Sequence, residues 1–440
     1  ALRVAGGRAV VAVTRWLRRF AAAAPVPTFL LQGVAAGPPG DAEALRLDPR
    51  LAIVDSPRHA TVLLVAGDLP GPLQRPAALA HDALPHPRAT VWWGEHRSDA
   101  VPAVPVTRRV AAAADVVSVA QAAHRSLLVE GGPSEAAWLT DSTRQPWRGV
   151  GPHGHGGSGM TGGTPYGRPL ADRADDLRDG LKLDLLPVTV GPFFPSFPTG
   201  LTLRVGLQGD LVQDVEVLPN PFLTGSTLPA PARGEVFWRA ATEPVRVAEL
   251  EVARLRSHLS WLAGGLRLVG LRALGQRALA LAVAEPERVI AHARAIATLV
   301  ERLQVTRAVP PAGAVTAAGE GDGGLGLVAR AAGVTQDARA DDDAYLALGF
   351  EPVVQKTGDA RARWDQHRAE IRQAAHLAAR AGQRMREPGP ALEAPAPPAA
   401  RLLPLLPGLL VGQEWGDAVR IVASLHLDLR TAARADAVKA

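Results

Sequence analysis

Residues 55–94, "DSPRHATVLLVAGDLPGPLQRPAALAHDALPHPRATVWWG", decide the fold. Within them "ATVLLVAGD" (60–68) is an uninterrupted apolar run closed by Gly67 and Asp68, the pattern of a strand buried on both faces of a parallel sheet. "LQRPAALAHDAL" (73–84) reads as a helix and "ATVWWGE" (89–95) as a second strand. Strand, helix and strand at this spacing imply a small doubly wound sheet. Further on, "HRSLLVEGGPSEAAWL" (124–139) is expected to add a third strand, a turn and the start of a helix.

Upstream, "VVAVTRWLRRFAAAAPVPTFLLQG" (10–33) is apolar enough to resemble a signal peptide, but Arg15, Arg18 and Arg19 interrupt it and no clear cleavage site follows. As a helix it places Val13, Trp16, Leu17 and Phe20 on one side and the arginines largely on another. That suits an interfacial or subunit-docking helix, or equally one packed on its own domain.

Downstream, residues 142–180 are rich in Gly, Pro and Ser and read as a linker. A second region begins with "KLDLLPVTVGP" (182–192) and continues into a strand pair turning at Gly209–Asp210. Helices follow. Leu250, Leu255, Leu259, Leu262, Leu266 and Val269 recur at helical spacing, and "ARARWDQHRAEIRQAAHLAARAGQRM" (360–385) is a second long amphipathic helix. The segment "GDAVRIVASLHLDLRTAARA" (416–435) is expected to be helical. The reading is an α/β N-terminal domain over 1–141, a Gly/Pro/His-rich linker over 142–180, and an α+β, mainly helical domain with an N-terminal β-hairpin over 181–440.

The chain has 440 residues, a net charge of +5 spread without a basic stripe, and no cysteine. The diffuse charge argues against nucleic acid. The missing cysteines remove disulfides, thiolate zinc sites, iron–sulfur clusters and thiol nucleophiles together. No stretch reaches the roughly 18–20 apolar residues that span a bilayer.

Residues 55–94 resemble the small, B-type subunit of respiratory complex I (NADH-quinone oxidoreductase), which shares its fold with the small subunit of nickel–iron hydrogenases. The Ser-Pro-Arg start, the strand ending in Ala-Gly, the Pro-rich helix entry and the second strand come in that family's order. "RWLRRFAAAAPVPTFLLQG" (15–33) resembles its N-terminal helix and the lead to its paired cysteines, and "LLVEGGPSEAAW" (127–138) its closing Gly-Cys-Pro-Pro segment. The resemblance places the paired cysteines near Gly33 and Val34, the third near Trp93–Gly94 and the fourth at Gly132, so no cluster ligand survives.

Residues 188–217, "VTVGPFFPSFPTGLTLRVGLQGDLVQDVEV", resemble the D-type large subunit of complex I, related to the hydrogenase large subunit. There the resemblance implies a quinone-pocket loop with histidines. Here Phe193, Phe194 and Phe197 stand among prolines, which can plug a pocket but cannot protonate a quinone. "EVARLRSHLSW" (251–261) matches a Glu-x-x-Arg-x-x-x-His-Leu helix, and "GFEPVVQKTGDARARWDQHRAEIRQA" (349–374) and "DAVRIVASLHLDL" (417–429) continue the likeness. The chain therefore resembles a B-type and D-type fusion, related also to energy-converting hydrogenase complexes, without cluster cysteines.

Glu251, Arg254 and His258 share one helix face and are the candidate catalytic residues; a helix-surface ion pair beside a satisfied histidine is the weightier alternative. His153 and His155 are candidate metal ligands in a Gly-rich loop that lacks a third partner, and a solvated linker is the plainer reading. Asp341–Asp343 read as a solvated acidic turn. No cofactor is expected, zinc on the paired histidines being the one exception considered. The resemblance implies a redox-silent peripheral-arm subunit at the cytoplasmic face of the plasma membrane. Its partners would be membrane subunits of a complex-I-like or antiporter-like, proton-translocating assembly and other peripheral-arm subunits. An enzyme with a repurposed site at the domain interface around His258, for instance hydrating carbon dioxide, and a metal-binding accessory protein are the alternatives.

Overall fold

The computed structural model describes residues 16–33, 41–94, 108–139, 184–223, 235–316, 325–389, 392 and 399–429. Five parallel strands, β1 (Val26–Gln32), β2 (Leu51–Ile53), β3 (Val62–Ala66), β4 (Ala89–Trp93) and β5 (Arg108–Val110), lie in the order β2-β1-β3-β4-β5. The central strands β3 and β4 are buried along their whole length, as their unbroken apolar runs require. Alternation divides them between two cores. Leu63, Val65 and Trp92 face α1 (Gly71–Asp82) and the helical region, whereas Val62, Leu64, Val91 and Trp93 face α2 (Ala113–Arg125).

The expectation for 124–139 is corrected. The Ala-rich α2 runs through Arg125 and continues as a wider helical turn over Ser126–Glu130, so Leu127–Val129 are helical; Gly131 ends it in the left-handed conformation, φ 68°. The missing strand is β5, before α2. Through Leu139, the last described residue here, no helix follows the turn, and 131–139 is irregular chain pinned by a polar cluster. Glu135 accepts from Thr90 N (2.8 Å), Thr90 Oγ1 (2.6 Å) and His81 Nε2 (2.9 Å), and Trp138 stacks on His81 at 4.2 Å. Both ring nitrogens of His81 are paired, Nδ1 with Asp82 Oδ1 at 2.7 Å, and Glu135 takes three donors, as in a structural polar core.

The chain then forms a three-stranded antiparallel sheet, β6 (Leu185–Val190), β7 (Leu203–Gln208) and β8 (Leu211–Val217), with the expected turn at Gly209, φ 60°. Helices complete the region: α3 (Glu235–Thr242), α4 (Val247–Leu268), α5 (Arg272–Ala282), α6 (Pro286–Arg302), α7 (Ala360–Ala381) and α8 (Trp415–Ser424). The periodic run from 247 breaks at Gly270, φ 86°, into α4 and α5. One hydrophobic core runs from Leu63, Val65 and Trp92 of the sheet to Leu255 and Leu259 of α4 and Ile371 of α7. The α/β and helical regions are joined by apolar packing, whatever the path of 142–180, which lies outside the described residues along with His153 and His155.

Among the described residues the helix over 16–23 meets its own domain through Ala21 O, 3.4 Å from His124 Nε2, and leaves its apolar side uncovered. Trp16, Leu17 and Phe20 are 62%, 51% and 68% exposed, and Trp16 stacks on Phe20 at 5.7 Å. Arg15 and Val13 lie outside the described residues. No helix among the described residues is long and apolar enough to cross a membrane.

Candidate functional site

The surface reading of Glu251, Arg254 and His258 is overturned: all three are buried, at 0%, 1% and 0% exposure. The cause is the approach of α7 to α4. A Cβ added to Gly265 would come within 2.6 Å of the Trp364 ring, so glycine lets the two helices close up two turns beyond His258. That turns the polar face of α4 into the interior, where its charges need partners.

Partners come from three further segments. Glu251 Oε1 accepts from Tyr345 Oη (2.7 Å) and lies 3.5 Å from Arg254 Nε and 3.6 Å from Arg339 Nη1. Arg339 donates to both oxygens of Asp337, at 3.0 and 2.8 Å. Arg330 bridges Asp337 (3.2 Å) and Glu370 (2.9 Å). Glu370 Oε2 then faces His258 Nε2 at 3.3 Å, and His258 Nδ1 meets His367 Nδ1 at 2.8 Å. Three carboxylates, Glu251, Asp337 and Glu370, thus balance three guanidiniums, Arg254, Arg330 and Arg339. Asp341–Asp343 are not simply a solvated turn either: Asp342 caps Ala344 N and Tyr345 N and holds Arg386 Nε at 2.7 Å.

Burial sets the charge states. It pushes His258 below the ordinary histidine range against the pull of Glu370, and it pushes His367 further down, helped by the facing His258 and His426. Burial alone would raise Glu370, but Arg330 and the histidine hydrogen bond hold it well below the usual carboxylate range. The same contest leaves Asp337 at about 2. Tyr345 is driven up by burial and by Glu251. These shifts leave Asp337 and Glu370 ionised and His258 and His367 neutral at neutral pH.

A third imidazole closes the site. His426 follows α8 in a left-handed backbone, φ 53°, with ring centroids 5.1 Å from His367 and 6.4 Å from His258. Two contacts hold this corner: Trp261 Nε1 donates to Ala423 O (2.8 Å), and the wholly buried Arg363 donates to Ser424 Oγ (2.8 Å). Burial lowers the Arg363 guanidinium to about 9 against the opposing charge of Asp359. Trp261 also stacks on His367 at 3.5 Å and 8°. One ring nitrogen each of His258, His367 and His426 lies within 4.8 Å of the others. His258 thus sits among α4, α7 and the end of α8, inside the helical region and not at the boundary with the sheet.

Two of the positions that the resemblance gives to cluster ligands, Gly33 and Gly132, have no room for a side chain. A Cβ on Gly33 would strike Asp68 O at 2.2 Å, so the crevice between the carboxyl ends of β1 and β3, where such sheets take ligands, is filled by backbone. At Gly132 a Cβ would meet Ser126 Oγ at 2.6 Å. Val34 lies outside the described residues. The Phe loop plugs this region only in part. Phe197 is buried against Phe194 and Trp415, at ring distances of 5.0 and 6.2 Å, yet Phe193 and Phe194 line a remaining cavity of about 190 Å³ with Gln32, Ser260 and Arg267. That is below the roughly 300–1,000 Å³ of pockets that bury drug-sized ligands.

Sequence reasoning missed His367, His426, Glu370, Arg330, Asp337 and Arg339. The first three stand in the segments 349–374 and 417–429, whose likeness to the large subunit was the available signal.

A family model described as respiratory-chain NADH dehydrogenase, 49 Kd subunit, matches residues 298–402. No curated protein sequence matches the chain. Among solved structures, a chain of the membrane-bound sulfane sulfur reductase, an archaeal respiratory membrane complex, aligns over 57% of this chain and 99% of its own, at 17% identity and a TM-score of 0.39. The matched stretch carries Arg330, Asp337, Arg339, Tyr345, His367 and Glu370, most of the buried network, which α4 and His426 complete from outside it.

Proposed function

We propose that this chain is a redox-silent peripheral-arm subunit of a complex-I-related, ion-translocating membrane complex, where it acts as a scaffold and coupling element between a catalytic module and the membrane arm. The observation that carries this reading is the 49 kDa-type match over 298–402 in a chain without any cysteine. It keeps the helical body of that subunit and lacks the thiolates its redox partner would supply. The α/β region, read as a B-type remnant fused ahead of it, shares its core, so the two would dock as one body. The exposed Trp16, Leu17 and Phe20, beside Arg18 and Arg19, suit contact with a membrane subunit or anionic headgroups on the cytoplasmic side.

The test is affinity purification of the tagged chain from native membranes followed by mass spectrometry. Antiporter-like or complex-I-like membrane subunits are expected in stoichiometric yield. Recovery of the chain alone, wholly from the soluble fraction, overturns the proposal.

A further inference from the structure

Beyond that reading, we propose that His258, His367 and His426 form a three-imidazole site for a divalent transition ion of the zinc type. Ring nitrogens from all three residues lie within 4.8 Å of one another. His426 is held in a left-handed backbone, φ 53°, which non-glycine residues adopt seldom and most often at functional sites.

The supporting shell also has the form that metal sites use. Glu370 faces His258 Nε2 at 3.3 Å and draws the proton of the neutral ring to that nitrogen, which turns the Nδ1 lone pair toward His367. Without an ion, the 2.8 Å contact between the two Nδ1 atoms is a hydrogen bond and uses one proton. Nitrogens sharing a tetrahedral zinc at 2.0–2.1 Å stand about 3.3 Å apart, so the pair need part by only about half an ångström. Stacking on Trp261 fixes the plane of His367 while leaving its edge toward the other rings.

Electrostatics do not oppose the ion. The guanidiniums of Arg254, Arg330 and Arg339 are matched by three carboxylates, and that of Arg363, beside Ser424, has Asp359 as its opposing charge. With no cysteine in the chain, soft thiolate chemistry is out, and imidazole selects zinc, nickel or copper(II) over magnesium or calcium. His426 is only partly buried, which leaves a side for the ion to enter and for a water ligand to complete four-coordination. This site differs from the His153–His155 pair considered from the sequence.

The experiment uses the full chain stripped with EDTA and titrated with Co²⁺ and then Zn²⁺. One Co²⁺ per chain is expected, with the intense visible absorption of a four-coordinate ion, displaced by one equivalent of Zn²⁺. His426→Ala should weaken binding by more than the roughly 10–100-fold that loss of an outer-shell partner costs. The double change His153→Ala with His155→Ala should leave it intact. Zn²⁺ should raise the melting temperature of the wild type and not that of His426→Ala. Binding that survives His426→Ala, or that disappears with His153 and His155, overturns the site. If His426→Ala does not fold, the wild-type spectrum decides, and absence of a one-per-chain four-coordinate band overturns the proposal.

Discussion

Glu370→Gln tests whether the buried network behaves as a single balanced unit. The substitution preserves volume and removes one of three negative charges, leaving Arg330 with Asp337 alone at 3.2 Å and His258 Nε2 facing an amide. Breaking a buried pair from one side costs about 3–5 kcal/mol; because Asp337 still serves Arg330, the lower end, about 3 kcal/mol, applies. The loss should depend on pH. In the folded protein Glu370 titrates well below its unfolded value of about 4.3, so its stabilisation is fully present above that value and is lost as pH falls through the depressed folded pKa. The gap between wild type and variant should therefore be wide at neutral pH and narrow in acid. Urea unfolding followed by circular dichroism at both pH values measures it. Glu301→Gln is the control: its carboxylate pairs with Arg368 and Arg372 in solvent, and the midpoint should not move. A gap below about 1 kcal/mol at neutral pH, the range of an exposed pair, would refute the reasoning, as would a gap that ignores pH.

Other perturbations probe the remnants of the resemblance. Phe197→Ala should cost about 3–5 kcal/mol because the ring is packed against Phe194 and Trp415, and it should enlarge the adjoining cavity without creating quinone reductase activity; a loss within about 0.5 kcal/mol, as for a surface change, contradicts the plug. Gly33→Ala should lower the melting temperature, since the new Cβ would lie 2.2 Å from Asp68 O, and an unchanged melt would mean that the β1–β3 crevice is open. Trp16→Glu should leave the melting temperature alone, the side chain being 62% exposed, while releasing the protein from native membranes; retention on membranes removes the N-terminal helix from the docking surface.

The sheet was legible because β3 and β4 are buried on both faces, and complete burial writes itself as unbroken apolar runs that few other environments tolerate. Residues 124–139 were not, because a short apolar run such as Leu127–Val129 has no period to tell a strand from the last turn of a helix. The site was legible only along α4. Spacing puts Glu251, Arg254 and His258 on one face, but it cannot say whether that face meets water or another helix. The deciding residue is Gly265, seven positions from His258, whose missing side chain admits Trp364 and with it His367 and Glu370. A glycine in mid-helix costs about 1 kcal/mol relative to alanine, so "AGG" at 263–265 inside a strongly periodic helix is itself a mark of close approach. Once α7 is in place, the charges on α4 are buried, and the arginines and carboxylates at 330, 337, 339 and 370 give them partners without adding net charge. The histidines stand outside that balance. Burial holds His258 and His367 below the ordinary histidine range, so neither is needed to cancel charge, and their convergence with His426 calls for a role of its own.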